Sequence, residues 1–142
     1  MTVPFQVTYD CADPEALGAF WAEVLRYLEQ PPPEGYTNWL AYLRAQGVPE
    51  EAWHSAYAVV DPNGEGPRLF FQKVPEAKSA KNRVHLDVNV SAGLPAEERR
   101  DRVESEVERV MKLGATRVQS FEQSGEYWVV MQDPEGNEFC LQ

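Results

Sequence analysis

Asp61-Pro62-Asn63-Gly64 and Asp133-Pro134-Glu135-Gly136 are two copies of one Asp-Pro-x-Gly pattern, 72 residues apart. Proline presets φ for a turn, aspartate bonds the turn backbone, and glycine supplies the positive φ that closes it. Each copy lies between two strand-like runs, residues 56–60 and 68–74 in the first and 127–132 and 138–141 in the second. Both segments therefore read as β-hairpins, and the echo predicts a duplicated module.

Working outward, each hairpin follows a strand and a helix. The first unit opens with the β-rich residues 3–9, after which Asp13-Pro14-Glu15 supplies a cap, a proline at the first helical position and an acidic first turn. Leu17, Phe20, Trp21, Val24, Leu25 and Leu28 then fall at helical spacing, and Pro31-Pro32-Pro33 is expected to end the helix. The second unit repeats the order with a strand over 83–90 and a helix over about 95–113, whose inward positions are expected to be Val103, Val107, Val110, Met111 and Leu113. Gly114 follows as its cap and 115–120 as the next strand. The halves differ over 34–55, where Thr37 is expected to cap a short helix running to Gln46 and 49–53 reads as a further helical turn. The first unit thus carries a helical insertion, or has its second strand replaced by helix. The expected fold is α+β: two βαβββ modules, about 1–76 and 82–142, forming a curved mixed sheet around a central cup in one domain, with the insertion at about 34–55.

The bulk numbers narrow the function. A chain of 142 residues with 43% hydrophobic and 25% charged side chains has the ordinary make-up of one globular domain. The net charge of −10 argues against nucleic acid as a partner. No apolar run is long enough to span a bilayer, and the first residues lack a secretion signal, so residence in the cytoplasm is expected. Cys11 and Cys140 are the only cysteines and form no Cys-x-x-Cys pair, which leaves neither a disulfide framework nor a standard structural zinc site.

Five stretches, in this order, carry a family likeness: Asp10-Cys11-Ala12-Asp13-Pro14 running into Phe20-Trp21; Leu43-Arg44-Ala45-Gln46-Gly47-Val48-Pro49; Phe70-Phe71-Gln72-Lys73-Val74-Pro75-Glu76; Lys81-Asn82-Arg83-Val84-His85-Leu86-Asp87; and Asp133 to Cys140. With the repeated hairpin they resemble the glyoxalase-like branch of the vicinal oxygen chelate superfamily, which includes glyoxalases, extradiol dioxygenases and bleomycin-resistance proteins. The resemblance implies a divalent-metal site with one ligand on the first and last strand of each unit. Its positions fall here on Gln6, Gln72, His85 and Cys140. Gln6 and His85 match ligand types of the family, whereas Gln72 and Cys140 stand where carboxylates belong. The set lacks the negative charge that hard cations favour, so a metal of the family's kind is disfavoured and the cofactor is left open.

His85 and Asp87, two apart on a strand, share a face and form a candidate acid–base pair. The bland alternative is a satisfied polar histidine beside a turn-capping aspartate. Lys78, Lys81, Asn82 and Arg83 are the one concentrated positive stretch; they read as a solvated linker or as an anion clamp on the cup's rim. Cys140 reads first as a small buried apolar residue. Trp21 belongs to the core stripe, and Trp39, Trp53 and Trp128 are core or pocket walls. Gln6, Gln72, Trp128, Arg83 and Cys140 are thus the candidate ligand-binding residues. The expected function is binding of a small molecule, with lyase or isomerase chemistry at His85, or sequestration of a drug or metabolite without turnover, as in the bleomycin-resistance branch. The expected assembly is a homodimer, without nucleic-acid or membrane partners.

Overall fold

Both Asp-Pro-x-Gly segments form the same turn. The Asp61 carboxylate accepts from the backbone N–H groups of Asn63 (2.9 Å), Glu65 (3.1 Å) and Gly66 (2.8 Å), and Gly64 takes φ 71°. Asp133 accepts likewise from Glu135 (2.9 Å) and Asn137 (3.0 Å), and Gly136 takes φ 85°. The backbone N–H bonds favour the ionised form and hold the Asp61 carboxyl below its usual range.

These turns sit in two compact units, Met1–Ala77 and Lys78–Gln142, in a computed structural model that describes all 142 residues. The first unit contains β1 (Val7–Cys11), α1 (Pro14–Leu25), β2 (Leu28–Glu29), α2 (Trp39–Ala45), a 3₁₀ turn (Glu50–Ala52), β3 (Ala56–Val60) and β4 (Leu69–Lys73). Its sheet has the order β1-β4-β3-β2, with β1 parallel to β4 and the other pairs antiparallel. The second unit contains β5 (Asp87–Val88), α3 (Ala96–Lys112), β6 (Thr116–Gln123), β7 (Glu126–Gln132) and β8 (Glu138–Leu141), in the matching order β5-β8-β7-β6. The duplicated strand–helix–three-strand module is present, and each sheet receives one helix on one face.

In the first unit Asp13 caps α1 by accepting from the Ala16 N–H at 3.1 Å, with Pro14 at the first helical position. Leu17, Phe20, Trp21 and Val24 are buried together with Val59, Leu69 and Phe71 of the sheet. Gly18 is required by close approach, because a Cβ there would overlap the Tyr57 ring. The helix stops earlier than the stripe suggested. Arg26 adopts a left-handed conformation (φ 59°), its N–H bonds the Ala22 carbonyl, and Leu28 lies on β2, 57% exposed. A non-glycine residue at that position gives no sequence cue, so the proline run looked like the stop.

The second strand of the first unit is kept as β2, and the helical segment is an insertion after it. Asn38, not Thr37, caps α2, its Oδ1 accepting from the Ala41 N–H at 2.8 Å. The Trp39 indole N–H ties this segment to the carbonyl of Gln30, next to β2, at 2.7 Å, and the Trp53 N–H bonds the Val48 carbonyl at 2.8 Å.

In the second unit Val103, Val107 and Val110 of α3 are buried with Val129, Met131, Phe139 and Leu141. Met111 and Leu113, expected inward, are 46% and 38% exposed. They stand one and three residues past Val110, roughly 100° and 300° round the helix, off the i, i+4, i+7 row. The expected strand over 83–90 shortens to β5 because Asn82 uses its side chain on β8. It accepts from the Glu138 N–H at 2.9 Å and donates to the Glu138 carbonyl at 3.1 Å. Backbone pairing resumes where the Cys140 N–H bonds the Leu86 carbonyl.

On the same face, Arg117 grips Glu104 of α3 through two bonds (2.6 and 2.9 Å), and the Tyr127 hydroxyl donates to the same carboxylate. The Arg117 bonds foremost, then the Tyr127 hydroxyl, hold the Glu104 carboxyl down at about 2, against an ordinary 4.5. A folded-state value below the unfolded one contributes stability that is complete above about pH 4.5 and fades as pH falls toward 2. About a third of each side chain is exposed, so solvent screening reduces the contribution to about 1 kcal/mol. Glu104→Gln is expected to lower Tm by about 3 °C at pH 7 and to converge with the wild type in acid, as thermal unfolding across pH 2–7 reads out. A gap independent of pH would contradict this assignment.

Candidate functional site

Chemistry-bearing side chains gather in two places, one in each unit. In the second unit, Asp87 on β5 pairs in register with Cys140 on β8, and His85 stands two residues before Asp87. Potential ligand atoms of His85, Asp87 and Cys140 lie within 4.8 Å of one another. His85 Nδ1 is 2.7 Å from Asp87 Oδ1. A carboxylate only accepts, so Nδ1 carries a proton and Nε2 is left as the ring's acceptor. Burial, then the Asp87 carboxylate as charge and hydrogen-bond acceptor, push the Cys140 thiol up to about 11. Cys140 is therefore a protonated, buried thiol near neutral pH rather than a ready nucleophile.

The other predicted residues are dispersed. Trp128 lies on the side of its sheet away from α3, stacked on Phe121 at 5.5 Å and 14°. Lys81 pairs with Glu138, Asn82 serves the strand ladder, and Arg83 is exposed and forms no ion pair. In the first unit the partner of Gln72 across the β1–β4 ladder is Asp10, to which the Gln72 amide donates at 2.7 Å. Gln6 lies four residues before Asp10, about 13 Å along an extended strand, and accepts from Arg68 at 2.9 Å. Counted from the two Asp-Pro-x-Gly turns, Thr8 opposite Phe70 is the counterpart of Asp87 opposite Cys140, so Gln6 is the counterpart of His85.

These positions bear on the metal that the resemblance implies. A guanidinium bonded to Gln6 repels a cation, and Gln6 and Gln72 stand apart on their ladder, so the first unit's pair does not fit. In the second unit the donors are imidazole, carboxylate and thiol, a mixed set that only a borderline metal would accept. The four-residue set does not fit such a metal.

The second place is a cavity of about 640 Å³ wholly within the first unit. Its floor is the sheet face turned away from α1. There Ala58 of β3 lies opposite Phe70 of β4, Ala56 follows on the same face, and Gln30 and Arg68 continue it. Two alanines at successive same-face positions leave the middle of the floor low. Trp39, Leu40 and Leu43 of α2, with Val48, Ala52 and Trp53, form the other wall, and Glu15, Glu29 and His54 also line the space. Arg68 lies over the Phe70 ring at 5.0 Å, and its Nε donates to Gln30 Oε1 at 2.7 Å. His54, 3.9 Å from Glu15, is largely exposed. Of these residues the sequence had singled out Trp39 and Trp53 as pocket walls. Arg68, Gln30 and the two alanines were missed, although small residues at alternate strand positions are a readable sign of unfilled space.

The fold and this site define a glyoxalase-like module pair. The chain belongs to the family of glyoxalase-like domains, whose model matches residues 6–142. No curated protein matches the sequence. Among solved structures it is similar to a fosfomycin resistance protein, FosX, of Listeria monocytogenes, in a mutant form complexed with Mn(II) and dihydroxypropylphosphonic acid (12% identity, 100% of this chain and 90% of that one, TM-score 0.64). It is also similar to a glyoxalase/bleomycin resistance protein/dioxygenase family enzyme of Burkholderia phytofirmans PsJN (18%, 96% and 94%, TM-score 0.59) and to the oxidase ChaP-H2 (18%, 99% and 93%, TM-score 0.59). At these identities the likeness is one of fold. No helix is long and apolar enough to cross a membrane.

The Cys140 assignment is open to direct measurement. Alkylation by iodoacetamide, followed by peptide mapping, is expected to show Cys140 inflecting near pH 11, and Asp87→Asn is expected to move the inflection down. An inflection at the ordinary thiol value of about 8.5 in the wild type would refute the burial of the thiol, and an inflection unmoved by Asp87→Asn would refute the Asp87 contribution.

Proposed function

We propose that this chain is a small-molecule-binding protein whose ligand sits in the cavity of the first module, between the alanine floor of β3 and the tryptophans of the insertion. The observation that carries the reading is the cavity itself. At about 640 Å³ it lies in the range of metabolite sites, and it combines apolar walls with a few convergent polar groups, Arg68, Gln30 and His54. A fold neighbour complexed with a phosphonic acid supports a small-molecule reading, as does the bleomycin-resistance branch to which another neighbour's description refers. Binding without turnover needs nothing further from the chain. The reading keeps the expectation of a cytoplasmic homodimer without a nucleic-acid partner.

One observation favours a second reading, that of an isomerase or lyase. The His85–Asp87 hydrogen bond fixes one imidazole nitrogen and presents the other, the arrangement a proton-shuttling base requires. If the protein turns a substrate over, His85→Gln lowers the rate about 100-fold or more and leaves ligand affinity unchanged.

A thermal-shift screen of metabolites tests the main reading. A ligand at a hundred times its dissociation constant adds about 2.7 kcal/mol of stability, a shift of several degrees. Ala58→Phe raises the cavity floor, so it is expected to cancel the shift while changing the unliganded Tm by less than about 3 °C. A shift that survives Ala58→Phe would place the ligand elsewhere.

A further inference from the structure

The cavity has one cation, Arg68, whose charge no carboxylate answers. Its Nε bonds Gln30 Oε1 (2.7 Å), one Nη bonds Gln6 Oε1 (2.9 Å), and its carbon lies 5.0 Å above the Phe70 ring centroid. All three partners are neutral. They fix the plane of the guanidinium and leave the Nη2 end without a bond. Elsewhere three arginines meet carboxylates directly: Arg100 with Glu122, Arg109 with Glu106, Arg117 with Glu104. In a chain of net charge −10, a partly buried arginine held in place by two amides is an exception to that pattern. Glu15 and Glu29 also line the cavity, yet neither forms an ion pair with Arg68; Glu15 faces His54.

The walls describe the other half of a ligand. Phe70, Trp39 and Trp53 offer flat apolar surface, and the alanine floor admits a planar body. Resting on the reading of this cavity as the ligand site, we infer that it selects a planar, largely apolar molecule bearing a carboxylate, with Arg68 as the anchor for the anion. A guanidinium already oriented by neutral partners loses little freedom on binding and presents paired N–H donors that match a carboxylate. Enclosure by apolar rings strengthens that contact relative to water. Charge-assisted hydrogen bonds of this kind separate an acid from its neutral isostere by about tenfold or more.

Two probes of equal shape, naphthalene-2-carboxylate and naphthalene-2-carboxamide, test this in titrations of the full chain followed by tryptophan fluorescence, since Trp39 and Trp53 line the space. The expected result is that the carboxylate binds at least about tenfold more tightly than the carboxamide. Arg68→Gln is expected to abolish the difference by weakening the carboxylate alone, and Arg68→Lys to retain part of it. In the wild type, raising salt from low to about 0.5 M is expected to weaken the carboxylate and leave the carboxamide unchanged, which needs no variant to fold. Equal affinities with no salt dependence would overturn the assignment of Arg68 while leaving the cavity as a binding site. Failure of both probes to bind would overturn the cavity reading and this inference with it.

Discussion

A four-stranded sheet has two faces, and one helix covers only one of them. Everything specific to this chain follows from how each module deals with the other face. In both, the covered side is built alike: valine, leucine and aromatic side chains of the sheet meet the apolar stripe of a single amphipathic helix, α1 or α3. The uncovered sides diverge. In the second module that face carries Trp128 on Phe121 and the exposed His85–Asp87 pair beside the buried Cys140. In the first module the insertion supplies a cover, pinned by the Trp39 bond to the Gln30 carbonyl. Because β3 places only alanines beneath it, the cover does not close down to the sheet, and a cavity results.

The duplicated module was readable because its signals are local and chemical. Asp-Pro-x-Gly dictates a turn by its own backbone preferences, and both turns form with the aspartate accepting from the N–H groups that follow. Asp13-Pro14 likewise dictates a helix start. Boundaries that depend on distant partners were less legible. Arg26 ends α1 in a left-handed conformation that its type does not advertise, and Asn82 delays the expected strand by bonding Glu138 with its side chain, so that β5 begins only at Asp87.

The candidate site divides in the same way. Strand parity joined His85 to Asp87 and the family resemblance placed Cys140 with His85, and the atoms of the three do converge. The resemblance groups Gln6 with Gln72, but strand register, which only long-range pairing reveals, puts Asp10 opposite Gln72 and Gln6 beside Arg68. The cavity was the least legible feature. The pocket expected from the sequence was a hollow common to two modules, while the one described belongs to the first alone. It exists because of what the β3 alanines do not fill, and periodicity analysis looks for large apolar residues rather than missing ones.

The central claim is that a ligand enters the first module beneath the insertion. Replacing the four tryptophans with 5-fluorotryptophan gives each a ¹⁹F resonance, assignable by single substitution, that reports its own surroundings. The account predicts that a saturating ligand shifts the Trp39 and Trp53 resonances together and leaves that of the core residue Trp21 in place. A ligand that moves Trp128 instead, with Trp39 and Trp53 unchanged, would contradict it.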